Sequence, residues 1–328
     1  MTNKEKNTGD EGNFNSPFEA GDLNYQVSSL FQEQISSWKL ARANYEGLKT
    51  IRTKTFSFGN FEVIVQFNPA RIVSSGAKVD AKTIAERNCF LCAENRPTEQ
   101  LGVETGNYII LVNPFPIFPQ HFTIPRKEHT DQQIKPYFAD LLKLAKALDD
   151  YIIFYNGPRC GASAPDHMHF QAGTKDFLPL LADYKRLKPT QGELVDESEN
   201  YQLYTLKDYL RTVYCIESDT IGSAQQIFEN LYTGWQESTP SSLLFGEEIQ
   251  KEPMMNIVCS YEDCIWYTFI FPRGNFRPWQ YTAEGDRQLL VSPATVEMSG
   301  VFITPVESHF ERITKEDIES ILKQASAV

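Results

Sequence analysis

The sequence predicts an α+β fold in which antiparallel sheets are packed by helices. Three observations predict it: a hairpin signal around Gly59-Asn60, amphipathic helical stretches interleaved with short apolar runs, and strict alternation around a histidine pair at 167–171. A chain of 328 residues suits one large domain or two packed halves. With 41% hydrophobic and 23% charged residues it can bury a sizeable core.

Residues 1–17 are rich in Asn, Lys, Glu and Gly and are expected to be disordered. Leu30, Phe31, Ile35 and Trp38 predict a helix over Leu30 to Leu48. Thr53 to Phe67 reads as a hairpin, with alternating apolar residues on either side of Gly59-Asn60. Asn107 to Val112 and His121 to Pro125 are strand-like, separated by the proline-rich segment 113–119. Gln132 to Asp150 reads as a helix with Phe138, Leu141, Leu142, Ala145 and Leu148 on one face. Tyr151 to Tyr155 is a short apolar strand, followed by a small-residue loop from Asn156 to Ser163. If His167 to Gln171 is a strand, His167, His169 and Gln171 share one face. Residues 175–200 read as a connector. A helix near Ala224 to Trp235, strands near Met255 to Ser260, Ile265 to Pro272 and Val301 to Pro305, and a last helix from Lys315 to Gln324 complete the chain. Thr314 suits the N-cap of that helix.

The net charge of -12 argues against a nucleic-acid binder, because phosphate backbones demand a basic surface, yet it leaves room for a local basic pocket. No run approaches the roughly 20 apolar residues needed to span a bilayer. The polar segment Met1 to Phe18 has no apolar signal core, so a cytoplasmic location is expected.

Six cysteines fall at 89, 92, 160, 215, 259 and 264, and only Cys89 and Cys92 form a Cys-x-x-Cys pair. Of five histidines, four (His121, His129, His167 and His169) lie within 49 residues, just after that pair. Zinc in a structural role takes four nitrogen and sulfur ligands, and His129 and His167 could complete a set with the two thiolates. A redox pair looks identical in sequence, as do two unrelated buried cysteines.

The segment His167-x-His169-x-Gln171 places two imidazoles and an amide together. A neutral imidazole can attack an α-phosphorus, and its other nitrogen must be held by an acceptor to fix the tautomer. Gln171 could donate to a non-bridging phosphate oxygen. Gly157, Gly161, Ala162 and Ser163 would let the backbone approach phosphates closely.

These residues resemble the histidine-triad superfamily, and within it the galactose-1-phosphate uridylyltransferase branch. Four stretches carry the likeness: Asn88 to Arg96 (Cys-x-x-Cys-x-x-Asn-x-Arg), His121 to His129 (His-x-x-x-Pro-basic-x-x-His), Asn156 to Gln171, and Pro293 to Gly300 with Phe310 and the last helix. The resemblance implies histidine-triad-like sheets in two related halves, with the histidine pair only in the first: a catalytic half over 18–185 and a degenerate half over 186–328 that completes the nucleotide and sugar pocket. It implies a structural Zn2+ on Cys89, Cys92, His129 and His167. It makes His169 the nucleotidylated nucleophile and Gln171 the residue marking transferases and phosphorylases. Asn156, Gly161 and Ser163 fall at phosphate-loop positions, while His121 is structural and His309 lies on the surface.

The branch usually reads Gly-x-Ser-x-Pro-His-x-His, whereas Gly161 to His167 contains one extra residue before the first histidine. Segment 167–172 and the Glu297-Met-Ser-Gly300 region look more like GDP-hexose phosphorylases. The implied reaction moves a nucleoside monophosphate from a GDP- or UDP-hexose through His169 to phosphate or a sugar 1-phosphate, in an enzyme that could be a homodimer. The alternatives are a dinucleoside polyphosphate phosphorylase and a non-catalytic, zinc-stabilised nucleotide-binding regulator. A thiol redox protein using Cys89 and Cys92 is a third.

Overall fold

The computed structural model describes residues 20–72, 76, 80–238 and 252–327. The expectation for residues 1–17 lies outside this set. The strands are β1 (Arg52–Ser57), β2 (Glu62–Phe67), β3 (Gly102–Thr105), β4 (Tyr108–Val112), β5 (His121–Pro125), β6 (Tyr151–Asn156), β7 (His169–Thr174), β8 (Gly192–Ser198), β9 (Tyr201–Leu206), β10 (Tyr214–Ser218), β11 (Met255–Glu262), β12 (Ile265–Pro272) and β13 (Val301–Thr304). The helices are α1 (Ala20–Ser37), α2 (Lys39–Gly47), α3 (Ala81–Glu86), α4 (Phe138–Ala147), α5 (Leu180–Gln191), α6 (Ile221–Ser238), α7 (Trp279–Thr282), α8 (Thr295–Met298), α9 (Glu307–Arg312) and α10 (Lys315–Ala325).

One antiparallel sheet of ten strands runs in the order β3-β4-β5-β7-β6-β11-β12-β10-β9-β8. The order contains a repeat. Strands β3 to β7 and β8 to β12 are each arranged first, second, third, fifth, fourth, with a helix (α4 or α6) between the third and fourth. The two units meet where β6 pairs with β11. Their helices meet too, through the stacked rings of Phe138 and Phe228, 3.9 Å apart. The antiparallel, helix-packed α+β expectation holds. The strand of the second unit that corresponds to β7, β12, contains no histidine.

Alternation along the strands sorts side chains between two apolar cores. Tyr151, Ile153, Tyr155, Phe122, Ile124, Met168, Phe170 and Ala172 enter the core covered by α1, α2, α4 and α6. Ile152 and Phe154 enter the opposite core, beneath α5, α10 and the small sheet β1-β2-β13. By the same parity His121, Thr123, Asn156, His169 and Gln171 point to this second side.

Several boundaries differ from the sequence reading. The helix expected over Leu30 to Leu48 is two helices, broken at Trp38, whose extended backbone (φ -96°, ψ 104°) inserts the indole into the first core. The helix expected from Gln132 begins only at Phe138, because Gln132 and Ile134 are held in hydrogen bonds to other segments. The expected connector 175–200 contains α5 and β8. Leu180, Tyr184 and Leu187 bury one face of α5 at helical spacing despite Pro189. His167 precedes β7 rather than lying in it, so it does not share the face of His169 and Gln171. His309 is buried, and its Nδ1 accepts from the Leu290 N–H at 2.9 Å, which corrects the expectation of a surface residue. The hairpin turns at Gly59 (φ +77°), and the last helix has its Thr314 cap.

Candidate active site and metal centre

Cys89, Cys92, His129 and His167 converge from three loops, with all four ligand atoms within 4.8 Å of one another. His167 Nδ1 lies 3.3 Å from Cys89 Sγ and 3.6 Å from Cys92 Sγ, and His129 Nδ1 lies 3.2 Å from Cys92 Sγ. A tetrahedral ion with metal–sulfur and metal–nitrogen bonds of about 2.3 and 2.1 Å has sulfur–nitrogen edges of roughly 3.6 Å. His167 Nε2 donates to the Arg126 carbonyl at 2.8 Å, which leaves its Nδ1 lone pair facing the cysteines. Burial opposes ionisation of Cys89, but hydrogen bonds from His167 and from the Leu91 and Cys92 backbone bring it down to about 6. Burial and the neighbouring Cys89 push Cys92 up to about 11. The cluster could hold a metal ion, and its two cysteines are free thiols in this structure.

His169 opens β7 and is fixed from two sides. Its backbone N–H donates to Gln132 Oε1 at 2.8 Å, and its carbonyl accepts from Gln132 Nε2 at 3.0 Å. Its ring Nδ1 lies 2.7 Å from the His167 carbonyl. A carbonyl only accepts, so Nδ1 carries the proton and Nε2 keeps the lone pair. Burial pushes the ring down to about 4, so it is neutral at pH 7. His167, whose ring belongs to the cysteine and histidine cluster, therefore also sets, through its carbonyl, the tautomer of His169.

Gln171 follows two residues along the same face, and its Oε1 lies 3.0 Å from His121 Nε2. Asn156 ends β6, and the phosphate-loop candidates follow it. Gly161 has φ +101°, and a Cβ there would meet the Ala294 Cβ at 2.3 Å, so only glycine fits where the loop touches the second half. Asn156, Gly161, Ser163, His169 and Gln171 all line one cavity of about 470 Å³. Its far wall comes from the second half, through Phe276, Arg277, Ser292, Ala294, Val296 and Glu297. None of the four cysteine and histidine residues lines this cavity, but Phe90 and Leu91, which lie between the two cysteines in sequence, do.

Although the chain carries a net charge of -12, three guanidinium groups, Arg71, Arg87 and Arg277, line the cavity against one lining carboxyl, Glu297, with Arg87 also paired to Asp166. Burial pushes Glu297 up to about 7, so at neutral pH it is only partly ionised. The cavity is suited to anions. Reading the sequence missed Gln132, Arg71 and Asn256, and gave Thr295 and Glu297, inside the Pro293 to Gly300 stretch, no role of their own. For Arg71 a signal was present, a basic residue in the Asn68-Pro69 turn that follows β2. Gln132 carried none.

A family model described as a domain of unknown function (DUF4922) matches residues 30–174, which contain both the cysteine and histidine cluster and His169. No curated protein matches the chain. Among solved structures, the yeast Ap4A phosphorylase Apa2 superposes with a TM-score of 0.57 at 16% identity, covering 90% of this chain and 97% of Apa2. The fold is that of Apa2. Its complex with Ap4A gives a TM-score of 0.58 at 15% identity, covering 92% of this chain and 97% of that one. Its complex with AMP gives 0.54 at 16% identity over 92% and 96%. Among the described residues, no helix is long and apolar enough to cross a membrane.

Proposed function

We propose that this chain is a nucleotidyl-transfer enzyme that carries a nucleoside monophosphate on His169. The observation that supports this best is the neutral His169 ring, with Nδ1 fixed on the His167 carbonyl and Nε2 left as the lone-pair nitrogen, in an arginine-lined cavity. In the first step the Nε2 lone pair attacks the α-phosphorus and a phosphorus–nitrogen bond forms. The bond to the bridging oxygen breaks, and the leaving phosphate keeps that electron pair. In the second step an acceptor phosphate oxygen attacks the same phosphorus and the pair returns to Nε2. Gln171 and the arginines stabilise charge on the phosphoryl oxygens.

The substrate read from the sequence is a GDP- or UDP-hexose, with phosphate or a sugar 1-phosphate as acceptor. A dinucleoside polyphosphate is the second reading, favoured by the likeness over almost the whole chain to a structure in complex with Ap4A. Residues 18–185 would supply the nucleophile and residues 186–328 the facing wall. The cluster of Cys89, Cys92, His129 and His167 would hold Zn2+ in a structural role, since all four ligands come from the protein and no open position is needed.

The test is mass spectrometry after incubation with labelled nucleotide sugars and dinucleoside polyphosphates, without acceptor. An acid-labile nucleotide adduct on the His169 peptide, discharged by phosphate or a sugar 1-phosphate, is expected. The His169→Ala protein should form none and keep its metal. Full activity in that variant, or label only on another residue, would end the proposal.

A further inference from the structure

A side-chain amide can face a ligand with either its acceptor or its donor end. Two amides flank His169, Gln171 on its own strand and Asn156 at the end of the neighbouring one, and both line the cavity. The hydrogen bonds behind each decide which end faces inward.

Behind Gln171 stands His121 on β5. The Ile117 backbone N–H lies 3.2 Å from His121 Nδ1. A backbone N–H only donates, so Nδ1 is the acceptor and Nε2 carries the proton of the neutral ring. Burial, reinforced by the Arg71 charge, pushes His121 down to about 3 and keeps it neutral. Nε2–H then donates to Gln171 Oε1 at 3.0 Å. The reversed amide would set two donors against each other, so the Gln171 NH2 is left for the cavity.

Behind Asn156 stands a second series of hydrogen bonds, from Asn256, Arg273 and Thr295. The Arg273 guanidinium, which can only donate, engages Asn256 Oδ1. That turns Asn256 Nδ2 outward, to the Cys160 carbonyl at 2.7 Å and to Asn156 Oδ1 at 2.9 Å. The Thr295 backbone N–H donates to the same Oδ1 at 2.9 Å. The Thr295 hydroxyl, 2.7 Å from Oδ1 and 2.9 Å from the Tyr155 carbonyl, has one proton for the two. Asn156 therefore also keeps its NH2 for the cavity.

We propose that His121 and Asn256 are positioning residues: each ends a hydrogen-bond relay that starts from a donor-only group, and the two relays lock Gln171 and Asn156 with their NH2 groups aimed at the phosphoryl group on His169. Because the orientation is set before the substrate arrives, no amide has to turn as charge develops. The proposal rests on His169 as the reacting residue for its kinetic consequences, but not for its anion binding.

The experiment compares wild type with His121→Leu, His121→Gln, Asn256→Asp and Asn256→Leu. Asn256→Asp keeps an acceptor for Arg273, now as an ion pair, but sets an oxygen against Asn156 Oδ1, which favours the reversed amide. Affinities for inorganic phosphate and for AMP, GMP and UMP are measured at equilibrium. Rates are measured with nucleotide substrates and with both α-phosphorothioate diastereomers of each. His121→Leu and Asn256→Asp should each lower kcat by on the order of 10- to 100-fold with a smaller change in KM. They should erase the preference between thio diastereomers and weaken monophosphate binding several-fold. His121→Gln, which restores a donor toward Gln171, should recover most of the loss, whereas Asn256→Leu should not. Thermal melts identify any variant that fails to fold, and the other relay then decides. Unchanged monophosphate affinity and thio preference in a folded His121→Leu or Asn256→Asp protein overturns the proposal. If wild type forms no adduct on His169, the proposed function fails, and the equilibrium arm alone still tests the relays.

Discussion

Gln132 ties the start of β7 to the end of β6, and replacing it should separate stability from binding. Its Oε1 accepts from the His169 N–H at 2.8 Å, and its Nε2 donates to the His169 carbonyl at 3.0 Å and to the Asn156 carbonyl at 2.9 Å. The residue is 1% exposed, so water cannot replace these partners. In Gln132→Met the side chain keeps its bulk while the three backbone groups lose this partner. A buried group left unpaired costs about 1–3 kcal/mol, so three such groups set a lower bound. The sum is a destabilisation of at least roughly 3 kcal/mol. A shift of His169 by about 1 Å can cost around 100-fold in rate. Denaturant unfolding measures the first quantity, and the rate of adduct formation on His169 the second. Equilibrium binding of nucleoside monophosphate should change far less than the rate. A variant within about 0.5 kcal/mol of wild type, forming adduct at the wild-type rate, would refute the reasoning.

Purified protein should hold one equivalent of zinc, lost in Cys89→Ser and His167→Ala. Because structural zinc contributes on the order of 10 kcal/mol in small peptides, chelation should lower the melting temperature. Active protein with no metal, or with a Cys89–Cys92 disulfide, contradicts this. Glu252 accepts from Tyr155 and from the Ile134 N–H at 2.6 Å each, and burial pushes it from 4.5 up to about 7. A raised carboxyl favours the native state fully below about pH 4.5, and this contribution is lost as pH rises through 7. Glu252→Gln imitates the protonated form, so its stability relative to wild type should rise between pH 4.5 and 7.5. A constant difference across that range counts against burial as the cause. If Gln171 favours transfer over hydrolysis, added phosphate or sugar 1-phosphate should speed turnover well above the rate in water alone. Equal rates across a broad nucleotide panel would contradict that role.

The elements with clean periodicity were legible. Ile265 to Pro272 is β12 to the residue, and Thr314 caps α10 as expected, the structure adding a reciprocal bond with Asp317. The α5 helix was missed because Pro189 and Gly192 outweighed a buried face of only a few residues. His167 misled because alternation in the sequence does not show where a strand begins, and here the loop turns that ring toward Cys89. Asn156, Gly161, Ser163, His169 and Gln171, each named from sequence motifs, line one cavity. The supporting residues were not legible. Gln132, Asn256 and Thr295 act through contacts across 37, 100 and 139 residues of chain, and no local pattern encodes such distances.

The pairing of β6 with β11 has a practical consequence for dissecting the molecule. All six residues of β6 are buried, and so are the first six of β11. Cutting the chain between the two five-strand units would turn this seam into two long apolar borders with unsatisfied backbone groups. Neither fragment could leave such a border bare in water. Each would seek another strand, so a separately expressed first half should recruit a second copy of itself or precipitate, and fragment complementation should succeed only when both pieces are refolded together.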